Sequence, residues 1–183
     1  MRIVGGVYRS RLLKTPKDDS IRPTSDKVRL AVFNMLRSRQ AIDDAYVLDA
    51  FCGTGALGLE ALSQGAAQCH FWDKNPSSLA LCTENINALN VREQATTRLI
   101  NIPRVDQNSN PEKPFTLVFL DPPYQKGLVD KALFALNTGG WVNTQTVCVI
   151  EVSAYEKIET PLTIIQEKIY GDTKILLVHI GNA

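Results

Sequence analysis

The sequence predicts an α/β protein built on a mostly parallel sheet, with helices on both faces and an antiparallel hairpin at its C-terminal end. Three observations predict it. From Tyr46 onward, short apolar runs alternate with segments of helical periodicity, the pattern of parallel strands joined by helices. The first run, Tyr46-Val47-Leu48-Asp49-Ala50-Phe51, passes straight into the glycine turn Cys52-Gly53-Thr54-Gly55-Ala56-Leu57-Gly58 and then into the helical Leu59-Glu60-Ala61-Leu62. The chain closes on two strand-like runs, residues 163–170 and 174–180, joined at Gly171-Asp172.

Element by element, two short runs within residues 3–14 pair as a small hairpin. A helix follows, capped by Thr24 or Ser25, with Val28, Ala31, Val32, Met35 and Leu36 repeating at helical spacing on the face that docks on the core. After the glycine turn and its helix, Ala67-Gln68-Cys69-His70-Phe71-Trp72 reads as the second strand and ends at Asp73. Asn75-Pro76 opens a helix with a cap and a first-turn proline, and Leu79, Cys82, Ile86 and Leu89 form its stripe. Residues 97–100 make a short third strand. The polar stretch 106–114 is an exposed loop, and Phe115-Thr116-Leu117-Val118-Phe119-Leu120 is the fourth strand. A helix over 128–136 stops at Gly139-Gly140, and residues 147–152 form the strand before the closing hairpin.

Composition sets bounds. With 183 residues, 44% hydrophobic and 21% charged, the chain suits a single domain with a sizeable core and leaves no length for a second catalytic unit. No apolar run is long enough to span a bilayer, and Met1-Arg2-Ile3-Val4-Gly5 is too short of apolar residues for a secretory signal, so a cytoplasmic location is expected. Cys52, Cys69, Cys82 and Cys148 lack Cys-x-x-Cys spacing and fall in or beside apolar runs, which reads as reduced core cysteine. His70 and His179 also lie inside strand-like runs, so no metal site is expected. Net charge is only +1, but residues 1–39 hold ten Lys and Arg against three Asp, or +7, leaving −6 on the remainder. A basic extension on a mildly acidic body is a surface for neutralising phosphates, and Arg9, Arg11 and Arg22 are its candidate backbone contacts.

The chemistry gathers at strand ends. Asp121-Pro122-Pro123-Tyr124 follows the fourth strand directly, which puts a carboxylate at its C-terminal tip, where open α/β sheets place their ligands. Two successive prolines neither extend a ladder nor enter a helix interior, so the backbone is held extended with its carbonyls outward. The resulting notch suits an amino group on a flat ring: Asp121 and the Pro122 carbonyl accept its two N–H groups while Tyr124 covers the ring. In the glycine turn, Gly53, Gly55 and Gly58 match the dinucleotide fingerprint, so a nicotinamide or flavin enzyme is one reading. Asp49 favours another, because a carboxylate beneath the turn repels a pyrophosphate but receives an ammonium group. Asp73 stands about 20 residues beyond Gly53, where an acid binds ribose hydroxyls.

Together these residues resemble the S-adenosylmethionine-dependent methyltransferases of Rossmann-like fold. Asp49 to Gly58 is similar to their first motif, Asp73 to their ribose-binding acid, and Asp121-Pro122-Pro123-Tyr124 to the motif of enzymes that methylate exocyclic amines of bases. The N-terminal part, Gly5-Gly6-Val7-Tyr8-Arg9-Ser10-Arg11-Leu12-Leu13 with Pro16, then Arg22-Pro23-Thr24-Ser25-Asp26-Lys27-Val28-Arg29 and Phe33-Asn34, resembles the bacterial family that methylates the N2 amine of a guanine in small-subunit (16S) ribosomal RNA. The likeness extends through Gly140-Trp141 and the strand ending at Glu151.

The resemblance implies a seven-stranded Rossmann-like methyltransferase fold with a small N-terminal hairpin and helix. It implies S-adenosyl-L-methionine held by Asp49, Phe51, Gly53, Gly55 and Asp73 with Thr24 at its border, catalysis by Asp121, Pro122 and Tyr124, and ribosomal RNA or the assembling small subunit as partner. Residues 1–39 would be the basic RNA-binding extension and 40–183 the cofactor-binding and catalytic core. A DNA or RNA methyltransferase acting on adenine N6 or cytosine N4 would share the cofactor half and the notch.

Three departures stand out. Ser10 replaces the glycine of an Arg-Gly-Arg sequence, a mild change if that backbone has negative φ. Leu30 replaces an acidic residue. In Asn101-Ile102-Pro103-Arg104, Pro103 offers no N–H where relatives read the adenine edge, which leaves that contact to neighbouring backbone.

Overall fold

The computed structural model describes residues 1–16, 26–105, 113–123 and 127–180. Thr24, Ser25, Arg22 and Tyr124 lie outside the described residues, as do residues 106–112 of the expected loop. Helix α1 (Asp26–Arg37) precedes β1 (Tyr46–Ala50), α2 (Ala56–Ser63), β2 (Gln68–Asp73), α3 (Pro76–Leu89) and β3 (Ala95–Leu99). Then come β4 (Leu117–Leu120), α4 (Leu128–Thr138), β5 (Val147–Ser153), β6 (Leu162–Tyr170) and β7 (Thr173–Ile180). The seven strands lie in the order β3-β2-β1-β4-β5-β7-β6. All pairs from β3 to β5 are parallel, and β7 runs antiparallel to both β5 and β6.

The apolar runs are continuous because both faces of the central strands are covered. Val47, Phe119, Val149 and Leu177 point into one core, shared with Val32, Phe33 and Leu36 of α1, Leu59 of α2 and Ile86 of α3. Leu48, Val118, Ile150 and Val178 point into the other, shared with Ala132, Leu133 and Leu136 of α4 and with Ile102. Phe33 meets Phe119 at 5.7 Å between ring centroids, which seats α1 beneath β4. The buried face of α1 is Val28, Arg29, Val32, Phe33 and Leu36, so Phe33 and Arg29 join it while Ala31 and Met35 sit at its margin.

Local signals set most boundaries. The Asn75 side chain accepts the Ser77 N–H at 2.9 Å, Pro76 fills the first turn of α3, and Asn90 ends the helix in the left-handed region at φ 59°. Every strand differs from expectation by a residue or two at one end or both, most instructively the third, fourth and fifth. The third begins at Ala95 rather than 97, because its pairing with β2 runs from Cys69↔Ala95 to Asp73↔Leu99. The fourth begins only at Leu117, since the Phe115 and Thr116 N–H groups turn to the Trp141 and Tyr46 carbonyls. The fifth runs one residue longer, to Ser153, where it still faces Thr173 of β7.

The N-terminal hairpin has a single bridge, Arg2 with Leu12, and is held mainly by the helices beneath it. Gly6 sits at φ 74° so close to the end of α2 that a Cβ would fall 1.7 Å from the Ser63 carbonyl oxygen. The Ser63 hydroxyl donates to the Gly5 carbonyl and accepts from the Tyr8 N–H, so the hairpin caps α2. Ser10 has φ 70°, so the condition for a mild change is not met; a side chain there strains the left-handed turn that glycine adopts freely.

Candidate active site

β1 and β4 are neighbours, yet the chain leaves β1 toward β2 on one side and returns to β4 on the other. Such a reversal is the switch point of a doubly wound sheet, and it is outside the C-terminal ends of the strands there that these sheets bind ligands. Phe51 leaves β1 at φ 64°, and Gly53 and Gly55 follow at φ 53° and 79°, so the turn folds back over the strand tips. Each glycine has its own reason. A Cβ on Gly55 would meet the Cys82 sulfur at 2.6 Å, and one on Gly58 would meet Phe71 and the Cys69 sulfur, so these two let α2 pack on its neighbours. Among the described residues a Cβ on Gly53 would find only the Phe51 carbonyl oxygen, at 4.0 Å, so none of them crowds this backbone.

Two carboxyl groups fix the turn. Asp49, 2% exposed, accepts the Gly58 N–H at 2.8 Å from beneath. Its burial pushes the carboxyl up to about 8, against the Gly58 hydrogen bond and aided by the charge of Asp73. Asp73, half-buried at the tip of β2, accepts the Gly53 N–H at 3.0 Å with one oxygen and the Asn75 N–H at 2.9 Å with the other. Both oxygens retain acceptor capacity for a hydroxyl. Asn85, fully buried on α3, donates to the Thr54 and Lys14 carbonyls and accepts the Lys14 N–H at 2.7 Å, tying the turn to the N-terminal segment.

Asp121 follows β4 directly and is half-buried; Pro122 is buried and Pro123 exposed. Asp49 pairs with Phe119, two residues before Asp121, so Asp49 and Asp121 lie close together at the ends of adjacent strands. Asp49, Phe51, Gly53, Gly55, Asp73, Asp121 and Pro122 thus converge on one sheet edge. Arg9 and Arg11 do not. Both are exposed, and the Arg11 guanidinium donates to the Ala88 carbonyl at 2.9 Å, near the end of α3 remote from the strand tips.

Sequence reasoning passed over the buried pair that secures this frame. Glu60, fully buried in α2, accepts the Val4 and Gly5 N–H groups at 2.8 and 2.7 Å and faces the Arg29 Nε at 3.5 Å. Arg29, equally buried, also bonds the Arg2 carbonyl and Asp26. A charged residue inside the apolar helix run 57–62 was the available signal. Glu151 is a second such residue, only 8% exposed in β5 beside β4. Among the described residues no group of His, Cys, Asp or Glu is arranged to hold a metal ion, and no helix is long and apolar enough to cross a membrane.

A seven-stranded 3-2-1-4-5-7-6 sheet with an acid, a glycine turn and a second acid at its switch point defines the Rossmann-like methyltransferase class. The family description "Conserved hypothetical protein 95" matches residues 1–179, and the chain belongs to that family. It is 34% identical over 151 residues to ribosomal RNA small subunit methyltransferase D of Escherichia coli, covering 82% of this chain and 74% of that protein. Among solved structures, a putative methyltransferase from Escherichia coli superposes with TM-score 0.85 at 29% identity, covering 98% of this chain and 97% of the other. A putative methylase from Haemophilus influenzae gives 0.80 at 26%, covering 99% and 98%. Family and fold imply S-adenosylmethionine as the methyl donor. The residues fit it: no described residue crowds the Gly53 backbone, and Asp49 lies beneath the turn with Asp73 beside it.

Proposed function

We propose that this chain is an S-adenosylmethionine-dependent methyltransferase acting on the exocyclic N2 amine of a guanine in small-subunit ribosomal RNA, free or in an assembling subunit, in the cytoplasm. The observation that supports this most is the position of Asp121-Pro122-Pro123 at the tip of β4, one strand from the glycine turn. The relative named ribosomal RNA small subunit methyltransferase D supports the RNA class. In this reading the whole chain is one methyltransferase unit, with residues 1–39 its RNA-facing extension and 40–183 its cofactor-binding and catalytic core.

Asp49 receives the ammonium end of the donor, directly or through water, Asp73 the ribose hydroxyls, and Phe51, Gly53 and Gly55 shape the wall between them. Thr24, outside the described residues, would contact the donor as well. When bound, the donor supplies a methyl group already activated on a sulfonium. The acceptor amine is a weak nucleophile because its lone pair is delocalised into the ring. Asp121 accepts one of its N–H groups and the Pro122 carbonyl the other, which localises the pair on nitrogen. As the N–CH3 bond forms and the methyl–sulfur bond breaks, positive charge grows on nitrogen and both hydrogen bonds strengthen, the differential stabilisation that catalysis requires. One proton then leaves the nitrogen toward Asp121. Tyr124 stacks on the extruded base, a contact of roughly 1–3 kcal/mol in single-strand binders.

Asp121→Ala is expected to bind S-adenosylhomocysteine normally and to slow single-turnover methyl transfer at least about tenfold, the loss of one charge-assisted hydrogen bond. Undiminished turnover removes Asp121 from the reaction. Incubation of labelled donor with small-subunit RNA and with assembled particles, followed by nucleoside analysis, tests the function itself. N2-methylguanosine is the expected product; methylated adenine or cytosine, or no product, rejects the reading.

A further inference from the structure

We propose that the sheet face at the N-terminal ends of β1 and β2 is a second RNA contact, which stacks one unpaired nucleobase against Tyr46 and Trp141 and holds its phosphate with Arg98 and Lys113. This contact lies apart from the glycine turn and the notch, and it takes from the reading above only that the partner is RNA.

The two faces of the sheet are covered unequally. Leu36 of α1, Leu59 of α2 and Ile86 of α3 pack on the face of Val47 and Phe119, whereas α4 is the one α-helix among the described residues on the opposite face. On that opposite face Trp72 is buried with Leu48, and by strand alternation Gln68 and His70 share its side. Arg98 of β3 pairs with Trp72 and points the same way. Gln68 and Arg98 are exposed and His70 is half-buried, so no described helix covers this part of the sheet. A cavity of about 550 Å3 lies there, within the roughly 300–1,000 Å3 of ligand pockets. Tyr46, Gln68, His70, Arg98, Lys113 and Trp141 are among its walls.

Its rings are set in advance. Phe115 stacks on Tyr46 at 4.9 Å and on Trp141 at 6.0 Å between centroids, and His70 meets Tyr46 edge-on at 5.0 Å. A hydrogen bond of 2.8 Å joins the Tyr46 hydroxyl to the His70 Nε2. Rings fixed before a ligand arrives stack a base at little ordering cost. Burial and the Arg98 charge both lower the His70 pKa, so at neutral pH that ring is uncharged and the charge of these walls comes from Arg98 and Lys113. Both are exposed and positive, which suits phosphate. The Lys113 Nζ lies 5.3 Å from the Tyr46 ring centroid. An ammonium on an exposed ring is held more weakly than a stacked base, so the base takes that position and leaves Lys113 for the phosphate. Aromatic faces beside one-signed basic charge are the composition of single-strand sites.

Tryptophan fluorescence reads this surface directly. The chain has two tryptophans, Trp72 and Trp141, whose rings meet at 5.0 Å, and Trp141 lines the cavity. The basic hairpin packs on the other face through Ile3 and Leu13, so RNA held there does not stack on either. The full chain is titrated with a short single-stranded adenylate RNA, with the same strand lacking its bases, and with adenosine monophosphate. Saturable quenching by the RNA is expected, with the other two ligands at least about tenfold weaker. In Arg98→Ala/Lys113→Ala, which alters two exposed side chains, the RNA midpoint is expected to weaken at least about tenfold while the melting temperature stays unchanged. Absence of quenching, or an unchanged midpoint in the double variant, overturns the inference. An equal response to the baseless strand overturns the stacking, and an equal response to the mononucleotide makes this a free-nucleotide pocket and overturns RNA as its occupant. Methyl transfer plays no part in the readout, so failure to find methylated guanine rejects the proposed function and leaves this titration standing.

Discussion

At the scale of single residues, the site depends on a carboxyl group held where a carboxylate is least stable. Asp49 is enclosed by the sheet and α2, and its burial raises its pKa from the ordinary carboxylate range to about 8. A folded-state value above the unfolded one means that the folded chain holds a proton which the unfolded chain releases. The stabilising contribution is therefore complete below the ordinary carboxylate range and declines as pH rises, until it is lost near pH 8. Asp49→Asn abolishes that ionisation while keeping an oxygen for the Gly58 N–H. Its melting temperature, measured without cofactor, is expected to gain on wild type steadily from pH 5 to pH 8 and then to level off. A constant offset across that range would show that Asp49 titrates as an ordinary carboxyl. In the proposed function the cationic end of the donor docks beside Asp49 and favours its charged form, so donor binding would be coupled to proton release.

Among the elements, the N-terminal hairpin, α1 and α2 are joined by one buried ion pair. Glu60 of α2 takes two backbone N–H groups of the hairpin, and Arg29 of α1 lies against it with both side chains fully enclosed. Removing Glu60 takes the acceptor from two backbone N–H groups and a buried carboxylate from beside Arg29, and breaking a buried pair costs about 3–5 kcal/mol. Glu60→Ala is expected to lose stability of that order in denaturant unfolding and to expose the hairpin to trypsin at Arg9 and Arg11 before the rest of the chain unfolds. Wild-type resistance at those sites would show that the hairpin docks through Ser63 and its glycines alone. The hairpin needs this support because its own ladder amounts to a single bridge.

For the molecule as a whole, the proposed function sets a requirement on the separation between the notch and the basic hairpin. Helix α3 runs back from the strand tips, and Ala88, which holds Arg11, lies 12 residues beyond its first, about 18 Å along the axis. An RNA that places a base at Asp121 and phosphates at Arg9 and Arg11 must span that length. Joint replacement of Arg9 and Arg11 by Ala is expected to weaken RNA binding, to flatten the slope of log affinity against log salt by about one to two, and to leave S-adenosylhomocysteine affinity unchanged. An unaltered salt slope would place the RNA elsewhere on the +7 extension.

Much of this was legible in the chain itself. Alternation of buried strands with capped helices fixed the element order, since Asn75-Pro76, Gly139-Gly140 and Gly171-Asp172 act through local backbone chemistry that needs no distant partner. Asp49, the glycines, Asp73 and Asp121 were readable for a related reason: each adjoins a strand end, and strand ends follow from apolar runs. Where β4 begins, which face of α1 is buried and the partners of Glu60 depended on residues distant in the chain, as in the contact of Phe33 with Phe119. Sequence determined which groups reach the sheet edge; tertiary packing alone decided which of them stand side by side, because side-by-side contact across strands is a long-range property that no local pattern encodes.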